Sequence, residues 1–201
     1  MGPVLCRVLF AIGIPLAVFA ILGSLMMNLT GRDQFSQTAD PASAPLNFRI
    51  SGYDEAGVRS YWTWLGSDGR IAERRFLLVD LAFPVAYGAG LLAGLFLAWA
   101  GAGRPFGMGW LVAPVVITVL ADWTENLVHL AQLSRFVAGN PLQAAWIQVA
   151  SVATSTKMLF FIVATVLILV LCGLIMRRGQ VGAGVAQQSV AADAPAKRER
   201  G

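Results

Sequence analysis

In a chain of 201 residues, 57% are apolar and only 13% are charged, whereas soluble domains carry charge at about 25% of positions. That balance excludes an ordinary water-soluble domain and reads as a membrane protein. The formal charge of +4 is no argument for a nucleic-acid partner, because the excess lies at Arg177, Arg178, Lys197, Arg198 and Arg200, as expected of a positive helix flank and a solvated tail.

The first apolar run covers residues 5–27 and contains Gly13, Pro15 and Gly23. It is too long for a signal-peptide core and lacks a small-residue cleavage site, so it is read as a retained anchor, kinked at Pro15. Residues 28–45 have no apolar period and read as loop. Val58, Tyr61, Trp62 and Leu65 then recur at i, i+3, i+4 and i+7, with Asp54, Glu55, Arg59 and Thr63 on the other side. This predicts a short amphipathic helix at the membrane interface, with Trp62 and Trp64 at headgroup depth. A hairpin pairing 47–51 with 58–65 is the alternative. Gly66 is expected to take the left-handed conformation that ends the helix, with Ser67 or Asp68 capping the next.

The second membrane helix is expected to run from near Arg70 to Ala100. Arg74 and Arg75 stand at its start, Asp80 lies a turn inside its apolar part, and Tyr87 follows seven residues later on the same face. Pro84 has no N–H to offer the Asp80 carbonyl, which predicts a kink beside an acid. Gly88, Gly90 and Gly94 on the same helix form a small-residue surface suited to close helix packing.

The third run, 109–134, is interrupted by Asp122, Glu125, Asn126 and His129, whose spacing places them on one helical stripe. An ionisable group at mid-membrane costs roughly 2.5–3.5 kcal/mol on insertion scales, so this stripe must face protein or water. Asn140 and Pro141 read as a cap followed by proline at the first helical position. A helix from there to Arg177 would be about 54 Å long at 1.5 Å per residue. Either its first third projects from the bilayer or the polar run 151–156 breaks it, with Lys157 at the boundary. From residue 179 an unstructured tail is expected.

The chain is thus read as an all-α membrane protein: a four-transmembrane-helix bundle within 1–178, with spans near 5–27, 76–100, 109–134 and 154–176, and an interfacial helix between the first two. Alternate crossings bring Asp80, Glu125, Asn126, His129 and Lys157 into the same half of the bilayer. They predict a one-sided polar pocket, lidded by residues 54–65 and rimmed by Arg70, Arg74 and Arg75. The short, acid-free amino-terminal flank argues for a multi-pass protein of the cell membrane with both termini in the cytoplasm.

Leu65-Gly66-x-x-Gly69-Arg70, Phe76-Leu77-x-x-Asp80-x-x-Phe83-Pro84-x-x-Tyr87-Gly88 and Asp122-x-x-Glu125-Asn126 together resemble the pattern of small four-span membrane proteins of unassigned activity. The resemblance covers residues 65–130 and departs where Glu73 stands in place of an aromatic. It implies no reaction, but it does imply that Asp80, Tyr87, Asp122, Glu125 and Asn126 belong to one constellation.

Three classes of function remain open at this level. The polar groups can serve helix packing alone. They can form a binding or catalytic pocket for a lipidic or small amphiphilic ligand, using Asp80, Tyr87, Asp122, Glu125, Asn126, His129, Lys157 and Arg74. Within it, Asp80, Asp122, Glu125 and His129 are the candidates for proton transfer. They can also carry protons or ions across a homo-oligomer. No Ser-His or Cys-His nucleophile signature is present. One histidine with three acids specifies no metal, and Cys6 and Cys172 read as small apolar filler, so no cofactor is implied. The expected partners are membrane lipids, a small amphiphile and a second copy of the chain, not nucleic acid.

Overall fold

The computed structural model describes residues 2–31 and 44–193, with side chains described as far as residue 181. Six α-helices follow in order: α1 (Pro3–Thr30), α2 (Glu55–Trp64), α3 (Gly66–Val79), α4 (Phe83–Gly101), α5 (Gly109–Val137) and α6 (Ala144–Asp193). Among the described residues there is no strand, and 46–51 holds only a short 3-10 helix at Leu46–Phe48 and a turn at 50–51, so the hairpin alternative is excluded. Helices α1, α4, α5 and α6 are each long and apolar enough to cross a membrane. Leu16 and Ile21 on α1 are 64% and 66% exposed, and Leu159, Ile162, Val166 and Leu169 on α6 are also exposed. Such a belt is costly in water and suited to hydrocarbon.

The bundle is built from two tight pairs, α1 on α4 and α5 on α6. The first pair depends on glycine. Pro15 leaves the Ala11 carbonyl without its helical donor, and Gly94 packs there so closely that a Cβ would lie 2.5 Å from that oxygen. Gly90 meets Val18 of α1 and Gly88 meets Val119 of α5. The small-residue surface of α4 therefore works inside the chain. At the end carrying the amino terminus, Gly101 approaches Ile175 and Arg7, and Gly179 approaches Val4. The opposite end is closed by α2, α3, the last turns of α5 and the first turns of α6.

The apolar core falls into two clusters. One, at the terminus-bearing end, includes Val8, Ala11, Leu91, Leu95, Ala98, Leu111, Val115 and Leu171. The other includes Met26, Val58, Tyr61, Trp62, Phe76, Leu77, Leu133 and Ile147. Asp80, Asp122, Glu125, Asn126 and Lys157 are buried too, and none of them belongs to either apolar cluster.

Several expectations need correction. The helix expected from Arg70 to Ala100 is broken at residues 80–82, where the N–H groups of Leu81 and Ala82 bond three residues back to Leu78 and Val79. Pro84 is the cause: without an N–H it cannot continue the ladder through Asp80, and it starts α4 instead. Gly66 does take a left-handed conformation, with φ of 64°, yet neither Ser67 nor Asp68 caps α3. Asp54 caps α2 by accepting from the Gly57 N–H at 2.8 Å.

Asn140 and Pro141 do not start α6, which begins three residues later. Gln132 accepts from the Gln143 N–H at 2.9 Å while its amide donates to the Gln143 side chain at 3.0 Å, so the backbone turns into the helix only beyond Gln143. From there α6 runs unbroken through 151–156. It also continues past Arg178 to Asp193, where an unstructured tail was expected from residue 179. Alanine and glutamine favour helix there, and the first proline is Pro195. Residues 194–201 lie outside the described residues, as does most of the loop expected over 28–45.

Candidate functional site: a buried polar layer facing a cavity

The polar layer is assembled by three helices and one helix break. On α5, Asp122, Glu125, Asn126 and His129 lie on the buried face, as helical spacing requires, and each is at most 4% exposed. Lys157 reaches them from α6. Its ammonium lies 2.9 Å from Asp122 Oδ1 and 2.6 Å from Glu125 Oε2. The second contact is an ion pair without good hydrogen-bond alignment, and neither Glu125 oxygen receives an aligned donor. The other oxygen of Asp122, Oδ2, accepts from the Tyr87 hydroxyl at 2.9 Å, which ties α4 into the cluster.

Asp80 joins through the α3–α4 break. The Asn126 side-chain amide donates to Asp80 Oδ2 at 3.1 Å and to the Asp80 carbonyl at 3.4 Å. That carbonyl is the one that Pro84 deprives of a helical partner. The Trp123 indole N–H donates to the next carbonyl, Leu81, at 2.8 Å. Two neighbouring side chains of α5 thus satisfy backbone that the break leaves open, as buried polar groups require.

His129 stands in a neighbouring group. Its Nε2 is 2.8 Å from the Tyr53 hydroxyl, which also lies 3.1 Å from Thr154 Oγ1. Tyr53 is delivered by a strap that two hydroxyls on successive turns of α6 hold down. Ser151 accepts from the Tyr53 N–H at 2.9 Å, and Ser155 donates to the Ile50 carbonyl at 3.0 Å. Gly52 bridges these points with φ of 93°, pressed so close to Ser151 that a Cβ would be 3.1 Å from its oxygen. Burial, with the nearby Glu125 carboxylate adding to it, pushes the Tyr53 phenol above its ordinary range.

A cavity of about 370 Å³ lies against this layer. Asp80, Tyr87, Asp122, Lys157 and Thr118 line its polar end. Its apolar wall comes from Phe19, Met26 and Met27 of α1, Phe76 and Phe83 of α3 and α4, and Met158 and Phe161 of α6. Phe19, Phe83, Tyr87 and Phe161 contact one another with ring centroids 5.2 to 6.3 Å apart. Phe19 and Phe48 on the wall are 46% and 60% exposed, so the cavity opens at its side.

Of the residues singled out from sequence, Asp80, Tyr87, Asp122 and Lys157 line the cavity. Glu125 and Asn126 support them from behind, and His129 faces Tyr53. Arg74 lies on the exposed face of α3 and does not line the cavity. Glu73 is buried instead, accepting from the Tyr61 hydroxyl at 3.3 Å. It shares a face with Phe76, Leu77 and Asp80 at i, i+3, i+4 and i+7, a signal readable in the sequence. Tyr53 and Thr154 carried no such signal, because their role depends on how the strap crosses α6. Trp62 is fully buried against His129 and Phe136, with centroids 6.5 and 5.7 Å apart, so its ring is covered by protein and not by lipid. The apolar face of α2 is used to seal the protein core. Arg70 helps fix it, donating to the Trp62 carbonyl at 2.9 Å. Among the described residues, no three His, Cys, Asp or Glu side chains converge as a metal-ligand set.

Comparison with protein-family models, with curated proteins and with solved structures finds no match to this chain.

Proposed function

We propose that this chain is a multi-pass protein of the cell membrane whose cavity binds a lipidic or small amphiphilic molecule, with both termini in the cytoplasm. The observation that carries this reading is the composition of one cavity: Asp80, Tyr87, Asp122 and Lys157, with Thr118, converge at one end of a wall that is otherwise mostly apolar, Ser24 and Asn47 being its other polar members. Its volume falls in the range of small-molecule sites, roughly 300–1,000 Å³, and its lateral opening suits a ligand that arrives from the bilayer. Transport is disfavoured by the apolar cluster of Leu95, Ala98, Leu111, Val115 and Leu171 between the polar layer and the terminus-bearing end. A packing role for Lys157, Asp122 and Glu125 is compatible with ligand binding, since those contacts hold α5 to α6 whether or not the cavity is filled.

The test is mass spectrometry of small molecules retained by the purified protein, compared with a Gly23→Phe variant. Gly23 lines the cavity, and a Cβ there meets nothing within 4 Å, so the ring fills space without disturbing the polar layer. A retained amphiphile that disappears in the variant supports the reading. Identical retained molecules in both proteins would refute it.

A further inference from the structure

Asp80, Asp122 and Glu125 place three carboxyl groups in the polar layer against one ammonium, that of Lys157. Lys157 is already engaged by two of them, at 2.9 and 2.6 Å. Asp80 lines the cavity, is only 3% exposed and receives a hydrogen bond from the neutral amide of Asn126. Among the described residues it forms no ion pair, and Arg74 and Arg75 of the same helix are exposed on its other side. Buried carboxylates in excess of their partners are costly unless a cation or protons complete them. Beside this acid stand Phe83, Tyr87, Phe161 and Phe19 in mutual contact. Aromatic side chains grouped near a carboxylate are the surroundings that attract an alkylated ammonium, through the negative ring face and the charge together. An anionic headgroup would meet the carboxyls of Asp80 and Asp122, and among the described residues the cation on the wall, Lys157, is already engaged by Asp122 and Glu125.

We propose that the ligand of this cavity is a cationic amphiphile, a protonated amine or quaternary ammonium on an apolar chain, with its nitrogen beside Asp80 and its chain along the wall formed by Phe19, Met27 and Phe161. The proposal rests on the reading of the cavity as a ligand site, and its test separates the two. The full chain, in nanodiscs of zwitterionic lipid, is titrated with three probes of equal chain length: decyltrimethylammonium, decanol and decanoate.

The expected ranking is decyltrimethylammonium about tenfold tighter than decanol, with decanoate weakest. Asp80→Asn, which keeps size and the Asn126 contact, is expected to remove the advantage of the cation over decanol. Gly23→Phe is expected to abolish binding of all three. If decanol or decanoate binds as tightly as the cation to the unaltered protein, the charge assignment is overturned and the cavity reading stands. If the cation advantage survives in Asp80→Asn, the assignment to Asp80 is overturned. If no probe binding responds to Gly23→Phe, the cavity reading fails and takes this proposal with it. The ranking on the unaltered protein needs no variant to fold.

Discussion

The side-chain amide of Asn126 donates to both the carboxylate and the backbone carbonyl of Asp80, at 3.1 and 3.4 Å, so that one residue of α5 holds the break between α3 and α4 in place. The break in turn sets Asp80 on the cavity wall. Replacing Asn126 by Leu removes the donor and leaves a buried carboxylate and carbonyl without it, which is expected to cost about 1–3 kcal/mol. Thermal unfolding in detergent reads this directly. A variant as stable as the parent would show that the break does not depend on Asn126.

Lys157 lies between Asp122 and Glu125, and replacing it by Met leaves two carboxylates facing each other without a cation. The expected loss is about 3–5 kcal/mol, as for other broken buried pairs. Adding Glu125→Gln to Lys157→Met removes one of the stranded charges and is expected to recover a large part of the loss, whereas Glu125→Gln alone is expected to be mildly destabilising. This double-mutant cycle separates coupling from independent effects. Strictly additive losses would mean that the close contact contributes nothing.

At Gly94, any side chain meets the Ala11 carbonyl that Pro15 leaves open. Gly94→Val is therefore expected to force α1 from α4 and to lower stability by about 1–3 kcal/mol or more, as overpacking does. The same substitution at Gly173, where a Cβ meets nothing within 4 Å, is expected to change stability little. Unfolding of the two variants in the same detergent makes the comparison.

The Tyr53 phenol is held above its ordinary range by burial and by Glu125. In the unfolded chain it ionises near pH 10. Because the folded value is the higher one, its contribution to stability is complete below about pH 10 and is lost as the pH rises beyond it. The parent protein is therefore expected to lose stability more steeply above pH 10 than Tyr53→Phe, by up to about 1.4 kcal/mol per pH unit. At neutral pH the variant is expected to be less stable by about 1 kcal/mol, because the hydroxyl that meets His129 and Thr154 is gone. Denaturation midpoints at pH 8, 10 and 11 check both parts, and parallel slopes in the two proteins would contradict the first.

Local rules of sequence determined the membrane class, the four apolar helices, the amphipathic α2, the left-handed Gly66 and the stripe from Asp122 to His129. Each follows from hydrophobic length, helical period or the conformational freedom of one glycine, and none needs a distant residue. The position of Asp80 beside a break was also half legible, because Pro84 withdraws a donor from a known carbonyl. What the proline left undecided was which groups would satisfy the carbonyls of the break. That role belongs to Asn126 and Trp123, which supply donors from α5, more than forty residues away in sequence. For the same reason Trp62, patterned like an interface anchor, is instead sealed against His129 and Phe136. Amphipathic spacing specifies which face is apolar but not whether lipid or protein covers it. The choice of Glu73 over Arg74 as the buried side chain, the strap that brings Tyr53 to His129, and the cavity itself all arise from how the helices pack. Lys157 could have pointed at solvent or at the stripe, and only the seating of α6 on α5 brings its ammonium within ion-pair distance of two acids. Tertiary packing decided these points because buried polar groups must find partners, and those partners lie on other helices.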